Sequence, residues 1–294
     1  ASSVSTWQKN FTTMQPERPW YWHDYLCEYY NVTPSQALKL GSRSEERKPD
    51  LPGSRTCEPV YEQTFEDIWN SSERKTDEQV FQFYRDQGSW SSFRQSVRHK
   101  DMIQTHQFFT DLLIKFFGKR SSPPGYNICE YGCGIAPFLT TFLLEIWPEV
   151  HANLSLTDIE GCEHLAFAEW KLNKIVKKRN LENVNIACKP VTASGLPKYD
   201  EKLDAVILFE VLEHVPSPVE TITNLTKQMK SGAILVENFI KHEEFELDLE
   251  RGGPDLLSAT GEREEYYKFL DFYFINHSVS PDLEPDATRC WQKK

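Results

Sequence analysis

From residue 99 onward, short apolar runs alternate with amphipathic stretches in which apolar residues recur every three or four positions. The short runs predict buried strands, and the amphipathic stretches predict helices. Strands and helices that alternate with short connections are typical of an α/β fold, a parallel sheet with helices on both faces. The predicted strands lie at 127–129, 154–157, 184–187, 203–209 and 233–236, and the predicted helices at 99–117, 138–146, 163–178 and 218–229. We expect Gly232 to end the last of these helices.

The end of the chain follows a different order. Residues 262–271 predict a helix, 274–279 a strand, 280–286 a turn and 288–292 a final strand. Two strands joined by a turn pair antiparallel, because a parallel pair needs a long crossover. The sequence therefore predicts a mostly parallel sheet that ends in an antiparallel C-terminal hairpin and is flanked by helices.

The chain before residue 99 has a helical pattern of its own. Thr33 and Gln36 have the spacing of a capping box around a proline in the first turn, which predicts a helix start. A polar loop is predicted at 41–59, with further helices at 61–69 and 76–86. The pattern indicates an N-terminal helical extension.

Aromatic residues concentrate at the start of this extension, where six of them lie within positions 20–30. Such a cluster forms either a cage over a cationic substrate or a packing surface against the rest of the molecule. Packing is the favoured interpretation. We interpret residues 1–98 as a cap or lid region and residues 99–294 as the main domain. The candidate lid residues are Tyr84, Arg85, Trp90 and Arg94.

Composition narrows the range of functions. The chain has 294 residues, 39% of them hydrophobic, and a net charge of −11. This acidic balance disfavours DNA or RNA as the main partner, because polyanions bind basic surfaces. No apolar run approaches the roughly 18 residues of a membrane span, and the polar N-terminus does not resemble a secretory peptide. Seven cysteines without a Cys-x-x-Cys pair argue against disulfides or zinc and favour the reducing cytoplasm.

The strongest candidate for a ligand site is the segment ICEYGCGIA at 128–136, which follows a predicted strand and opens a predicted helix. Gly132 and Gly134 allow the backbone to turn tightly and to approach a ligand closely. Their order differs from a dinucleotide fingerprint, whose glycines and helix amides hold a pyrophosphate. Asp158 places a carboxylate at the end of the next predicted strand.

Two further segments follow later strands of the predicted sheet. The loop VTASGLP occupies 191–197 and the segment FEVLEHVP occupies 209–216. In the second segment, Glu210, Glu213 and His214 have the spacing that places side chains on one face of a helical turn. Ligands of open α/β sheets bind at the carboxyl ends of the strands, where both segments are expected to lie.

These motifs resemble those of class I, Rossmann-like S-adenosylmethionine (SAM) dependent methyltransferases of the small-molecule type. The resemblance covers roughly 104–237 and the terminal hairpin, whereas residues 1–100 match no family. The glycine motif of the family usually has a third glycine, and this chain has Ala136 at that position. In the segment at 191–197, Thr192 occupies the position where the family usually has aspartate. The resemblance implies SAM as the cofactor and S-adenosylhomocysteine as the product. The cofactor-binding residues it implies are Glu130, Gly132, Cys133, Gly134, Asp158, Ile159, Thr192, Ala193 and Phe209.

The activity implied by the resemblance is transfer of a methyl group to an oxygen or nitrogen of a small-molecule acceptor. His214 suits removal of a proton from that acceptor, because imidazole titrates near neutral pH. Glu213 and Glu210 complete the predicted catalytic set. A purely structural turn is one alternative for these side chains. The other is a magnesium site that includes His242, as in some relatives; magnesium is disfavoured, and no metal is predicted.

Two other functions stay open. One is a methyltransferase-like module that binds SAM or a partner without catalysis. The other is magnesium-assisted 2′-O-methylation of RNA, which the acidic balance disfavours. The expected partner is a small-molecule acceptor; no membrane is expected, and nucleic acid is disfavoured as a partner. A homo-oligomer is compatible with the sequence, and the expected location is the cytoplasm.

Overall fold

The computed structural model describes residues 23–41, 71–73, 76–118, 125–192, 195–239, 256–277 and 288–294. Within these residues the frame is a seven-stranded sheet. The strands are β1 Tyr126–Tyr131, β2 Ala152–Thr157, β3 Val184–Cys188, β4 Leu203–Leu208, β5 Met229–Glu237, β6 Phe274–His277 and β7 Arg289–Lys293. Their order across the sheet is β3-β2-β1-β4-β5-β7-β6. The first five strands pair in parallel, and β7 pairs antiparallel with both β5 and β6.

Helices precede the sheet, connect its strands and lead into the hairpin. Those before the sheet are α1 His23–Tyr30, α2 Pro34–Gly41, α3 Asp77–Arg85, α4 Gly88–Arg98 and α5 Ile103–Phe117. Those that follow are α6 Pro137–Glu145, α7 Glu163–Lys178, α8 Pro218–Gln228, α9 Leu257–Gly261 and α10 Arg263–Tyr273. Within the described ranges, no helix is both long enough and apolar enough to span a bilayer.

The sheet is buried on both faces. Every residue of β1 and β4 is buried, and successive side chains of a strand point to opposite faces. Tyr126 and Ile128 pack in a core with α5, α6 and α7, whereas Cys129 and Tyr131 pack in a second core with α8 and α10. Both faces therefore need mainly apolar side chains, and the buried polar residues of these two strands are Asn127, Glu130 and Asp204.

Side chains at the residue before the first turn cap helices α2, α3 and α8. The N–H of Gln36 donates to Thr33 Oγ1 at 3.2 Å, and the N–H of Thr33 donates to Gln36 Oε1 at 2.8 Å. Thr76 and Gln79 form the same reciprocal pair at the start of α3. Ser217 caps α8 through its hydroxyl. The capping box predicted at Thr33 is therefore confirmed.

The predicted elements agree with the structure except at some ends. The helix predicted at 163–178 has the bounds of α7, and the predicted antiparallel hairpin is confirmed. The helix predicted at 99–117 begins instead as a 3₁₀ turn over His99–Met102. The prediction that Gly232 ends a helix is wrong, because α8 stops at Gln228 and Gly232 lies inside β5 at φ 79°. The predicted loop after Gly41, the helix at 61–69 and the turn at 280–286 lie outside the described residues.

Aromatic side chains join the N-terminal helices to the rest of the molecule. The ring of Tyr29 lies 5.3 Å from that of Phe167 and 5.0 Å from that of Trp170, both on α7. The ring of Tyr30 lies 4.9 Å from that of Phe93 on α4. These contacts support the packing interpretation of the aromatic cluster, whose first three residues lie outside the described part of the chain. The division into a cap and a main domain stays a prediction.

Candidate active site

The loop between β1 and α6 adopts left-handed backbone conformations at three positions. Gly132 and Gly134 have φ of 63° and 50°, and Ala136 has φ of 51°. Glycine adopts this region without strain, whereas a residue with a side chain is destabilised there by roughly 1–2 kcal/mol. The departure from a third glycine therefore carries a small energetic penalty at Ala136.

The glycine loop is packed between the ends of two neighbouring strands. The N–H of Cys133 donates to the Thr157 carbonyl at the end of β2, at 2.9 Å. A Cβ added to Gly132 would lie 2.5 Å from Val211 Cγ2, in the loop after β4. A side chain at position 132 would therefore force the two loops apart.

Glu130 supports the glycine loop from behind. Its two carboxylate oxygens accept hydrogen bonds from the N–H groups of Phe138 and Leu139, at 3.1 and 2.9 Å, in the first turn of α6. Burial raises the pKa of Glu130 to about 7, although the two amides oppose the shift. The carboxylate thus caps the helix that follows the loop. Its predicted contact with the cofactor stays a prediction.

Asp158 joins the end of β2 to the glycine loop. The N–H of Gly134 donates to Oδ2 and the N–H of Ile159 donates to Oδ1, both at 2.7 Å. His164 Nε2 lies 3.2 Å from Oδ2. Burial acts to raise the pKa of Asp158, but His164 and the two amides outweigh it, so the pKa is lowered. The carboxylate is therefore ionised at neutral pH.

His164 connects this carboxylate to helix α4. Its Nδ1 and Ser91 Oγ are hydrogen-bonded at 3.0 Å. The Ser91 hydroxyl donates to the Gly88 carbonyl at 2.9 Å, so both ring nitrogens of His164 face acceptors. Sequence reasoning missed Ser91 and His164, because they lie 73 positions apart and belong to no motif.

Gln95 of α4 covers the glycine loop from the other side. Its Oε1 accepts a hydrogen bond from the N–H of Ile135 at 2.9 Å. A Cβ added to Gly134 would lie 2.0 Å from the same oxygen. The Ile135 carbonyl accepts a hydrogen bond from Nζ of the buried Lys171 at 2.5 Å. The Ile135 residue is thus held through both its N–H and its carbonyl, and sequence reasoning missed Gln95 as well.

The loop after β4 differs from the predicted helical turn. Only Leu212–His214 form a 3₁₀ turn. Glu210 lies outside it at φ 56°, so the helical turn begins at Leu212 and does not include Glu210. Asn238, after β5, accepts a hydrogen bond from the N–H of Glu210 at 2.8 Å and donates one to its carboxylate at 2.6 Å. Phe209 is buried, with its ring 4.9 Å from that of His106 in the core.

His214 and Glu213 lie side by side, close to helix α3. His214 Nε2 is 3.8 Å from Glu213 Oε1. The His214 ring is 6.3 Å from that of Tyr84 on α3. The two side chains are 17% and 14% exposed, which leaves both accessible to a small molecule. Two of the three predicted catalytic side chains are thus brought together.

The third predicted segment lies beside Asp158. Thr192 and Gly195 exchange backbone hydrogen bonds at 3.3 and 3.0 Å, while Ala193 lies outside the described residues. Ile159 pairs with Val191 in an isolated bridge. The segment is therefore anchored next to the end of β2, and the adenine-binding role of Thr192 stays a prediction.

The described residues do not by themselves form the alternative magnesium site of the loop after β4. Among the described residues, one group brings three ligand atoms within 4.8 Å of one another, at Asp158, Cys162 and His164. Burial raises the pKa of the Cys162 thiol, which disfavours the thiolate that a metal needs. Glu210 and Glu213 do not form such a group with His214, and His242 lies outside the described residues.

The residues at the carboxyl ends of β1 and β2 fit SAM. The cofactor carries a ribose diol, an ammonium, a carboxylate and a sulfonium. Asp158 is ionised, and its Oδ1 accepts from the Ile159 amide while a carboxylate oxygen has two acceptor sites. The left-handed glycines allow a ligand to approach the loop backbone closely.

A sequence profile for a family described as a methyltransferase domain matches residues 101–247, half of the chain. The matched range contains the glycine loop, Asp158 and the loop after β4. The chain belongs to this methyltransferase family. Membership confirms the resemblance to class I SAM-dependent methyltransferases that the motifs indicated. No curated protein sequence matches the methyltransferase at a significant level.

Several solved structures are similar to the methyltransferase at low sequence identity. An O-methyltransferase family protein from Burkholderia thailandensis is 13% identical, with a TM-score of 0.42 over 76% of this chain and 65% of its own. The pyocyanin biosynthetic protein PhzM is 14% identical, with a TM-score of 0.47 over 73% and 62%. The O-methyltransferase TomG from Streptomyces achromogenes is 13% identical, with a TM-score of 0.41 over 65% and 80%. The chain spans less than two thirds of the length of the first two of these proteins.

Proposed function

We propose that the chain transfers a methyl group from SAM to an oxygen or nitrogen atom of a small-molecule acceptor. The observation that carries the proposal is the ionised Asp158 carboxylate, bonded to the Gly134 amide at the end of β2. This contact unites the two parts of the sequence that the family uses for the cofactor. A carboxylate beside a glycine loop suits a ribose diol better than a phosphate, which it would repel.

When bound, the cofactor supplies a methyl group that is already activated on a positively charged sulfur. The chain has to align the acceptor with that group and exclude water. Helices α3 and α4 lie over the carboxyl edge of the sheet through Tyr84 and Gln95. A covered edge favours an acceptor small enough to be enclosed, and disfavours one presented on a protein or RNA surface.

His214 is proposed to remove the acceptor proton. Glu213 Oε1 lies 3.8 Å from its Nε2 and is positioned to stabilise the imidazolium that forms. Both side chains follow β4 on the edge that holds the glycine loop. Glu210 is engaged with Asn238, and its proposed part is to hold this loop in place.

The test of the proposal is binding of S-adenosylhomocysteine, measured by isothermal titration calorimetry. Asp158→Asn should weaken binding about tenfold or more, because hydrogen bonds to a charged group contribute about 1.5–3 kcal/mol. Asp200→Asn is the matched control, since Asp200 is exposed and pairs only with Lys189 among the described residues. That variant should bind normally.

Absence of binding by the wild-type chain at millimolar ligand would contradict the proposed function. Equal affinities of Asp158→Asn and wild type would remove Asp158 from the site. Binding without methyl transfer to any phenol, carboxylic acid or amine would favour a non-catalytic SAM-binding module.

A further inference from the structure

Helix α4 contacts both halves of the proposed cofactor site from one of its faces. Ser91 and Gln95 lie four residues apart, which places their side chains on the same face of the helix, one turn apart. Ser91 reaches Asp158 through His164. Gln95 reaches the glycine loop at Ile135. The helix lies before the range matched by the methyltransferase family, which begins at residue 101.

The Gln95 carboxamide has a fixed orientation with an available donor. Its Oε1 accepts the Ile135 N–H at 2.9 Å, which directs the Nε2 group away from that amide. Nε2 makes no hydrogen bond to any residue in the described part of the chain. The carboxamide lies against Gly134, whose missing Cβ leaves it room. Gln95 therefore presents two N–H donors at the glycine loop.

The chemistry of the loop indicates what these donors bind. The Ile135 N–H is occupied by Gln95, and the Gly134 N–H is occupied by Asp158. Neither amide is available to a ligand. SAM has one anionic group, the carboxylate of its methionine end, and a carboxylate binds N–H donors. Asp158 would repel that carboxylate, so the two ends of the cofactor are expected to separate between Asp158 and Gln95.

We propose that Gln95 binds the carboxylate of the methionine end of SAM through Nε2, while Ser91 and His164 position Asp158 for the ribose end. This inference rests on the proposed function. It makes helix α4 a wall of the cofactor site and Gln95 the residue that distinguishes the intact cofactor from nucleosides without the amino-acid end.

The test compares S-adenosylhomocysteine with 5′-methylthioadenosine, which keeps the adenosine and sulfur but lacks the carboxylate. Gln95→Ala should weaken binding of S-adenosylhomocysteine about tenfold, the loss expected for one hydrogen bond to a charged group. Binding of 5′-methylthioadenosine should change less than twofold. Both affinities are measured by titration calorimetry on the full chain, with the melting temperature of each variant recorded.

Gln95→Glu separates the donor role from a structural one. A glutamate still accepts the Ile135 N–H, but it offers no donor and adds a negative charge. We expect this variant to bind S-adenosylhomocysteine more weakly than Gln95→Ala does, and to bind 5′-methylthioadenosine normally. Gln82→Glu, an exposed glutamine on α3, is the matched control and should behave as wild type.

Each remaining outcome overturns the inference. Normal binding of S-adenosylhomocysteine by Gln95→Ala or Gln95→Glu would show that the Nε2 donor contributes nothing. Equal losses for both ligands in either variant would show that Gln95 only packs α4 on the loop. A wild-type chain that binds neither ligand would contradict the proposed function together with this inference, whereas binding by wild type with unaffected variants contradicts the role of Gln95 alone.

Discussion

His214 is the side chain whose role depends most on chemistry rather than packing. General-base assistance contributes about 10²–10⁴ in rate, so His214→Ala should lower kcat by a factor in that range. The affinity for S-adenosylhomocysteine should change less than twofold, because Asp158 and the glycine loop are untouched. Transfer of labelled methyl from SAM to an acceptor found by screening measures kcat.

A structural role for His214 predicts a different result. The variant would then melt at a lower temperature and keep a normal kcat in its folded fraction, which would end the base hypothesis. His151→Ala, a half-buried histidine just before β2, is the control. A magnesium role would instead show as loss of activity on chelation and recovery with added magnesium.

His106, in contrast to His214, is fully buried and packs in the hydrophobic core. Both of its ring nitrogens are buried and make no hydrogen bond within the described residues. Its ring packs edge-on against Phe209. Burial, with a smaller contribution from the Lys171 charge, lowers the pKa of His106 to about 3. The side chain is therefore neutral in the folded protein at neutral pH.

The lowered pKa of His106 makes stability depend on pH. The unfolded chain binds a proton there below about pH 6.5, whereas the folded chain does not until about pH 3. Its contribution is therefore complete above pH 6.5 and is lost as the pH falls, by about 1.4 kcal/mol per unit. His106→Phe should remove about 2 kcal/mol of the loss between pH 7.5 and 5, measured by urea unfolding at both values. Equal losses in variant and wild type would contradict this.

At the scale of elements, one carboxylate joins two helices. Glu262, at the start of α10, accepts hydrogen bonds from the Ser217 hydroxyl at 3.0 and 3.1 Å and from the Val219 N–H at 2.9 Å. The carboxylate thereby also caps α8, whose N-terminus favours negative charge. The contact spans 45 residues of sequence.

Glu262→Ala should lower the free energy of unfolding by about 1–2 kcal/mol, the usual value of a helix cap. Glu265→Ala, an exposed glutamate in the first turn of the same helix, should change it by less than about 0.5 kcal/mol. Urea unfolding of both variants at neutral pH provides the comparison. Equal effects would mean that general charge, and not the Ser217 contact, stabilises this junction.

Elements could be predicted from sequence where periodicity alone defines them. Helix α7 has a buried face that repeats through Leu165, Ala168, Leu172 and Ile175, and its predicted bounds are correct. The turn after β4 could not be predicted, because the φ of Glu210 is fixed together with Asn238, 28 residues away. A local sequence pattern cannot indicate a contact between residues so far apart in the chain.

At the scale of the whole molecule, the sequence predicted the part of the candidate site that the strand ends of the sheet provide, but not the part that helices α4 and α7 provide. Gly132, Gly134 and Asp158 belong to motifs with fixed spacing, and the structure brings them together. Ser91, Gln95 and His164 carry no spacing signal, because their positions depend on how α4 packs on α7 and on the glycine loop. The aromatic contacts of α1 with α7 add to the packing of the N-terminal helices on α7.

The extent of the contacts around the glycine loop bears on how this molecule can be shortened or recombined. A piece cut to residues 101–247 keeps every motif of the family, yet it lacks the helix that covers the loop. It also lacks β7, so β5 becomes an open edge and the buried Glu237 carboxylate loses its hydrogen bond from Trp291. A fragment intended for a chimaera should therefore run from α3 to β7, so that it keeps the helices over the glycine loop and the strand that pairs with β5. Inactivity of a piece that lacks α4 or β7 would reflect the missing helix or the unpaired strand, and would say nothing about the reacting side chains.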